Sequence, residues 1–290
     1  MATVFIVIIL AILNYAGIKL ITRVVLEKEI TGNEVYLEYN CRLIDNLLKK
    51  IDESIISLVH DNDVATLRSV TPQVYEDSVN FRYYKEVANV VKKISLLKAV
   101  IAEISDFYIY FPKIDKVVNN EGLHEFNTFM SLRYEENPEK IKAEILKERS
   151  NQLIDIWNYK LKEERANHLS RIYLTSLSYE GSGVNCIIVA NLSRSFIENI
   201  YIDRFSADSG AKIFIVDNEE NVISSNTGIP SGEKAGLGLL SSVDEEGEKY
   251  SYSIEKGNLM FYGKSAVNNI HYFIISPKES IFKDIKTINY

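Results

Sequence analysis

Cysteine is scarce, with two residues in 290, and so are tryptophan, methionine and proline, with one, three and five. Two cysteines exclude a disulfide-dense scaffold. Basic charge is also in deficit. Lys and Arg number 33 against 40 Asp and Glu, a formal net charge of −7, which argues against electrostatic binding of nucleic acid by this chain. The apolar share of 46% and the charged share of 25% exclude a disordered or collagen-like protein. Catalytic signatures are missing as well. There is no H-E-x-x-H, G-x-S-x-G or Walker A pattern. Gly236-Leu237-Gly238 lacks a third glycine and follows no strand, so it reads as a loop. The histidines (His60, His124, His168, His271) never fall at metal-ligand spacing. No catalytic residue, metal or cofactor is therefore assigned, and an enzyme is not expected.

The apolar residues are unevenly spread. From Val4 to Ile21 the chain reads VFIVIILAILNYAGIKLI, interrupted only by Asn14 and Lys19. That is close to the ~20 residues a helix needs to cross a bilayer, and Lys19 lies where its amine can reach the headgroups. Three readings compete: a membrane anchor, a cleaved signal peptide and a buried core helix. The anchor is favoured. No basic stretch precedes the run, no A-x-A site follows it, and an 18-residue run without an amphipathic face is long for a core helix. No second apolar span follows, so a second crossing is expected beyond Tyr290.

Past the anchor, apolar or small residues recur at Leu26, Ile30, Leu37, Cys41, Ile44, Leu48, Ile51, Ile55 and Leu58. From Leu37 the steps alternate four and three, the seam of a heptad helix. Neither Pro nor Gly interrupts residues 33–60. The spacing predicts one helix from about residue 5 to 59, packed on its own sensor domain for most of its length, with dimer contacts near the membrane. Asp61-Asn62-Asp63 then predicts a cap for a second helix, and residues 80–104 return to helical spacing. SDFYIYF (105–111) switches to period two, a strand, and KIDKVVNNEG reads as turn, short strand, turn. The charged stretch 138–168 reads as helices with a solvated face. Strands are expected at 171–179 and 184–192 around Glu180-Gly181-Ser182-Gly183. A short helix follows at 193–203, then strands at 211–217 and 222–226, and a Gly/Ser/Glu-rich loop over 227–247. Three final strands close the chain at 249–255, 259–267 and 271–276.

Strands clustered by hairpins after helices give an α+β class with antiparallel sheets. The chain divides into a transmembrane helix (1–22), a long packing helix (23–59), a membrane-distal module (60–192), a membrane-proximal module (193–282) and the start of an exit helix (283–290).

Two passages carry a family resemblance. GAKIFIVDNEENVISSN (210–226) and HYFIISPKESIF (271–282) resemble the membrane-proximal module of a double Cache (PAS-like) extracellular sensor. ISDFYIYFPKIDKVVNNEG (104–122) resembles the first strand and hairpin of the distal one. The order of elements carries the likeness over nearly the whole chain. It implies a ligand-sensing domain of a bacterial membrane receptor, most similar to those of membrane-bound AraC-type transcriptional regulators, with DNA reached only through an output domain outside this chain. A HAMP-containing histidine kinase is the alternative output, and a membrane-anchored interaction module without a small ligand is the rival reading. The Arg-x-Trp-Tyr signature of the amino-acid-binding subfamily is absent, since Arg82-Tyr83-Tyr84 precedes the helix and lacks the Trp. The implied partner is an unidentified small-molecule or protein ligand, and the implied assembly is a homodimer.

Period two puts Asp106, Tyr108 and Tyr110 on one face of their strand, and Phe107, Ile109 and Phe111 on the other. Tyr108 and Tyr110 are the candidate lining of a ligand site, joined by Tyr173 and Thr175 from a neighbouring strand and covered by Trp157. The competing reading makes these aromatics plain core. Cys41, on the helix seam, and Cys186, within a strand, read either as two buried thiols or as one disulfide.

Overall fold

The computed structural model describes residues 2–71, 83–146, 152–157, 168–176, 184–193 and 210–277, apart from 231, 237, 243–249, 256 and 268–269. The expected helix at 193–203, the connection at 180–183 and the exit helix at 283–290 lie outside these residues or nearly so.

Helix α1 runs unbroken through Ala2–Val59, about 87 Å at 1.5 Å per residue. Its first part is apolar and unburied, long and apolar enough by composition to cross a membrane. The seam then does what its spacing demands: Leu37, Cys41, Ile44, Leu48, Ile51, Ile55 and Leu58 are all buried. Their partners are the protein's own sheets and helices, in one core that reaches both sheets.

Asp61 stops α1 and starts α2 (Asn62–Ser69). In an extended conformation its carboxylate accepts from the Asp63 and Val64 amides at 2.9 and 3.3 Å, the geometry that satisfies orphan helix donors. Helix α3 (Tyr84–Val100) buries Val90 and Ile94. Lys93 of α3 reaches back to both Asp61 and Asp63 at 2.6 Å, tying the two helices together.

The first sheet has six strands in the order β3-β2-β1-β6-β5-β4. They are β1 (Ile104–Phe111), β2 (Lys116–Asn119), β3 (Leu123–Glu125), β4 (Gln152–Trp157), β5 (His168–Ser176) and β6 (Val184–Leu192). Every pairing is antiparallel. The second sheet, order β8-β7-β11-β10-β9, is also antiparallel. Its strands are β7 (Lys212–Asp217), β8 (Val222–Ser225), β9 (Tyr250–Glu255), β10 (Asn258–Lys264) and β11 (Ile270–Pro277). The β7–β8 turn forms because Asp217 accepts from the Glu219 and Asn221 amides, both at 2.8 Å.

Two elements depart from the sequence expectation. Residues 138–168 were expected to be helical throughout. Among the described residues of that stretch, α5 (Pro138–Ile145) is helical, opened by Asn137, whose side chain accepts from the Glu139 amide, with Pro138 in the first turn. Gln152–Trp157 is instead strand β4, paired with β5. QLIDIW is short, alternating and rich in β-formers, and a neighbouring strand to pair with overrides the charge of its flanks. Helix α4 (Phe126–Arg133) was not expected at all. It buries Phe126, Phe129 and Met130, a helical triplet in a stretch with no polar periodicity to announce it.

Each sheet has two covered faces. Phe107, Ile109 and Phe111 of β1 join the core shared with α1, α2 and α3. Tyr108 and Tyr110 point the other way, into a separate core with α4, α5 and β6. The second sheet repeats the division. Leu259, Phe261, Tyr272 and Ile274 face α1, while Phe214, Val216, Tyr262 and Phe273 pack on the loop that carries Ala235 and Leu239.

Candidate functional site

The first sheet's face opposite α1 holds the unusual chemistry. A β-bulge between Ile104 and Asp106 shifts the register against β6, and bulges of this kind re-aim a side chain. Asp106 is 4% exposed. Its Oδ1 takes the adjacent Phe107 amide at 3.0 Å. Its Oδ2 lies 3.5 Å from Arg133 Nη1 and makes no hydrogen bond. Burial raises the carboxyl pKa, and this outweighs the opposing pull of Arg133 and Lys98.

Tyr108, two residues on, is fully buried. Its ring meets Phe129 edge-on at 5.1 Å. Its hydroxyl reaches toward Tyr134 without completing a hydrogen bond of normal geometry, and burial pushes its pKa well up. Tyr134, at the end of α4, accepts from Asn191 Nδ2 at 3.1 Å, and burial raises its pKa too. Asn191 stands opposite Asp106 in the ladder. Arg133 Nη2 bonds Glu121 at 3.1 Å, and its guanidinium lies 4.6 Å from the Phe129 ring. Asp106, Tyr108, Tyr134 and Asn191 therefore form one buried polar group in an otherwise apolar core, with the half-buried Arg133 at its edge. A buried polar atom left wholly without a partner costs about 1–3 kcal/mol; here Arg133 offsets part of that cost at Asp106 Oδ2 and Tyr134 part of it at the Tyr108 hydroxyl.

Tyr110 shares the face but not the chemistry. Its hydroxyl donates to Asp115 Oδ1 at 2.8 Å, and its ring stacks at 4.4 Å on Phe126. Tyr173 and Thr175 are not in backbone register with Tyr108. The register aligns Tyr173 with Ile188 and Ile109, and Thr175 with Cys186, residues of the α1-facing core. Tyr108 is aligned instead with Val189 and Ile172. A shift of one residue exchanges the faces, and only the ladder, not local alternation, sets that parity. Trp157 sits on β4, aligned with His168, two strands from β6.

Sequence reading missed Arg133, Tyr134 and Asn191. Arg133 and Tyr134 lie at the end of α4, whose Phe126, Phe129, Met130 triplet is too short a signal to announce a helix without a polar face beside it.

A concavity of about 520 Å³ lies on the α1-side face, between α2, α3 and the β1–β2 hairpin. Leu67, Val87, Val91, Phe111 and Val118 line it, with Glu121 in its wall. The two cysteines are buried and no disulfide joins them. No cluster of metal-ligating side chains occurs among the described residues.

No family model and no curated protein matches the sequence. Solved structures do. The extracellular domain described as that of histidine kinase rpHK1S-Z16 superposes with a TM-score of 0.58 at 10% identity, over 89% of this chain and 98% of that one. The extracellular domain described as that of histidine kinase vpHK1S-Z8 gives 0.54 at 14% identity, over 89% and 98%. A domain of a sensory box/GGDEF family protein from Vibrio parahaemolyticus gives 0.55 at 14% identity, over 89% and 99%. The α+β fold, a long helix leading two antiparallel sheets, is thus shared with extracellular sensor domains along nearly its full length.

Proposed function

We propose that this chain is the extracytoplasmic ligand-sensing part of a transmembrane signalling receptor, not an enzyme. In this reading residues 1–22 anchor it in the cell membrane and residues ~23–290 lie outside. The modules are 60–192 and 193–282, and the receptor acts as a homodimer. The observation that carries the ligand-sensing reading is a pair of buried oxygens on the first sheet, Asp106 Oδ2 and Tyr108 Oη, that make no hydrogen bond of normal geometry beyond their contacts with Arg133 and Tyr134. Binding sites combine apolar walls with a few placed polar groups, and these two acceptors, beside Tyr134 and Asn191, suit a small molecule that brings hydrogen-bond donors. The fold shared with extracellular sensor domains supports the same reading.

Two outputs fit. A histidine kinase output is supported by the names of two of the structural neighbours. An AraC-type helix-turn-helix output rests on the DFYIYFPKIDKVVNNEG resemblance alone. Signalling requires that ligand bind two arrangements of the receptor unequally.

A thermal-shift screen of the full chain in lipid discs, using small donor-bearing metabolites, tests the site. A ligand at 100 times its Kd adds roughly 2.7 kcal/mol of stability. The expected result is a compound that stabilises the wild type and not Asp106→Asn. A compound that stabilises both equally would place the site elsewhere.

A further inference from the structure

Asp45 holds a carboxylate inside the fold, 5% exposed. One oxygen accepts from the Ser265 hydroxyl, and the other accepts from the Ala266 amide at 2.8 Å. Ser265 and Ala266 open the turn between β10 and β11. That turn is closed on itself: the Ser265 amide donates to the Ile270 carbonyl at 2.9 Å, and the Val267 amide donates to Ser265 Oγ at 3.2 Å. The carboxylate therefore grips a preformed loop whose far side is the first residue of β11.

The position of Asp45 on α1 gives the grip its meaning. One turn earlier, Cys41 lies where helix and sheet approach to their limit. A Cβ added at Gly263 of β10 would sit 3.0 Å from Cys41 Sγ and 3.1 Å from the Tyr250 ring. Past Asp45 the helix changes partners. Residues between Lys50 and Leu58 face Lys93–Ile101 of α3 across a cleft, and Lys50 Nζ donates to the Val100 carbonyl at 3.3 Å. Asp45 thus stands where α1 passes from the second sheet to the helices of the first. Apolar packing is non-directional and tolerates sliding. A charge-assisted bond from a carboxylate to a backbone amide fixes position.

We propose that the Asp45 clasp is the fulcrum of the molecule. It passes a displacement of the upper half of α1 to the β10–β11 turn, and so to strand β11. Coupling of this kind travels through packed side chains and hydrogen-bonded contacts with defined alternatives. The proposal does not depend on which ligand, if any, binds near Asp106.

Backbone hydrogen exchange on the full chain in lipid discs tests it. Ile55→Ala disturbs α1 about 15 Å along the helix from Asp45, and the Ala266 amide is read relative to Phe214 in the same sheet. With Asp45 intact, Ile55→Ala is expected to speed Ala266 exchange by about tenfold, within the range of coupling between linked residues. In Asp45→Asn the Ala266 amide already exchanges fast, and Ile55→Ala adds no further change. Ser265→Ala, which keeps the carboxylate-to-amide bond, retains a reduced response and serves where Asp45→Asn folds poorly. Equal acceleration in both backgrounds, or an Ala266 amide in the wild type that ignores Ile55→Ala, overturns the proposal.

Discussion

The two sheets turn the same kind of face away from α1 and settle its polar groups differently. In the second sheet, His271 is buried between partners on both ring nitrogens. Tyr262 Oη lies 3.1 Å from Nδ1, and Asn218 Oδ1 lies 2.8 Å from Nε2. In the first sheet, Asp106 Oδ2 has only the 3.5 Å ion pair with Arg133, and the Tyr108 hydroxyl has only Tyr134 within reach, neither making a hydrogen bond of normal geometry. Buried polar groups in folded proteins are overwhelmingly paired. The His271 cluster obeys that rule with its own residues, and the Asp106–Tyr108 cluster is completed, in our reading, by something from outside.

The largest predicted effect concerns what the two regions share. Leu48 is fully buried on the α1 seam within the core common to both sheets. Leu48→Ala is expected to cost about 2–5 kcal/mol and to destabilise both sheets together in a urea titration read by probes in each. Loss confined to one sheet would break the idea of a shared core.

The hydroxyl contrast comes next. Tyr262→Phe deletes a well-formed hydrogen bond to His271 and is expected to cost about 1 kcal/mol, whereas Tyr108→Phe deletes a hydroxyl with only the loose Tyr134 contact and is expected to be close to neutral. Equal losses in chemical denaturation would place a hidden partner on Tyr108.

Acid then drives the two faces in opposite directions. Burial raises the Asp106 pKa, so between the unfolded carboxyl value and the folded one the native state binds more protons. Stability from this group therefore increases as pH falls through that window. Burial lowers the His271 pKa, so below the ordinary value of 6.5 the unfolded state binds more protons and stability is lost. Comparing melting temperatures across pH 4–7, Asp106→Asn is expected to remove a gain and His271→Gln to remove a loss. The same sign for both would contradict the assigned burial.

The smallest effect belongs to Lys93. It bridges Asp61 and Asp63 at 2.6 Å but is 37% exposed. Lys93→Met is expected to cost no more than about 1 kcal/mol in urea denaturation.

Much of the architecture was legible in the sequence because it rests on periodicity. The α1 seam, the strand over 105–111 and the three terminal strands follow from spacing of four and three or of two, and each is found within a few residues of its expected place. The cap at Asp61 follows from its chemistry. Strand β4 and helix α4 were not legible, since each owes its form to a partner distant in sequence. The site was half legible. Alternation along β1 put Asp106 beside Tyr108, but the parity of β5 against β1 depends on β6 between them, so the register of Tyr173 with Ile188 and of Thr175 with Cys186 was not legible from the β5 sequence. Arg133, Tyr134 and Asn191 join the group only through tertiary packing.

The central claim is that the first sheet, not the second, receives a ligand. Hydrogen exchange of the full chain with and without a stabilising compound tests it most directly. The account predicts slowed exchange in β1 and α4, around Asp106, Tyr108 and Arg133, with the amides around His271 unchanged. Protection centred on His271, with β1 and α4 unaffected, would contradict it.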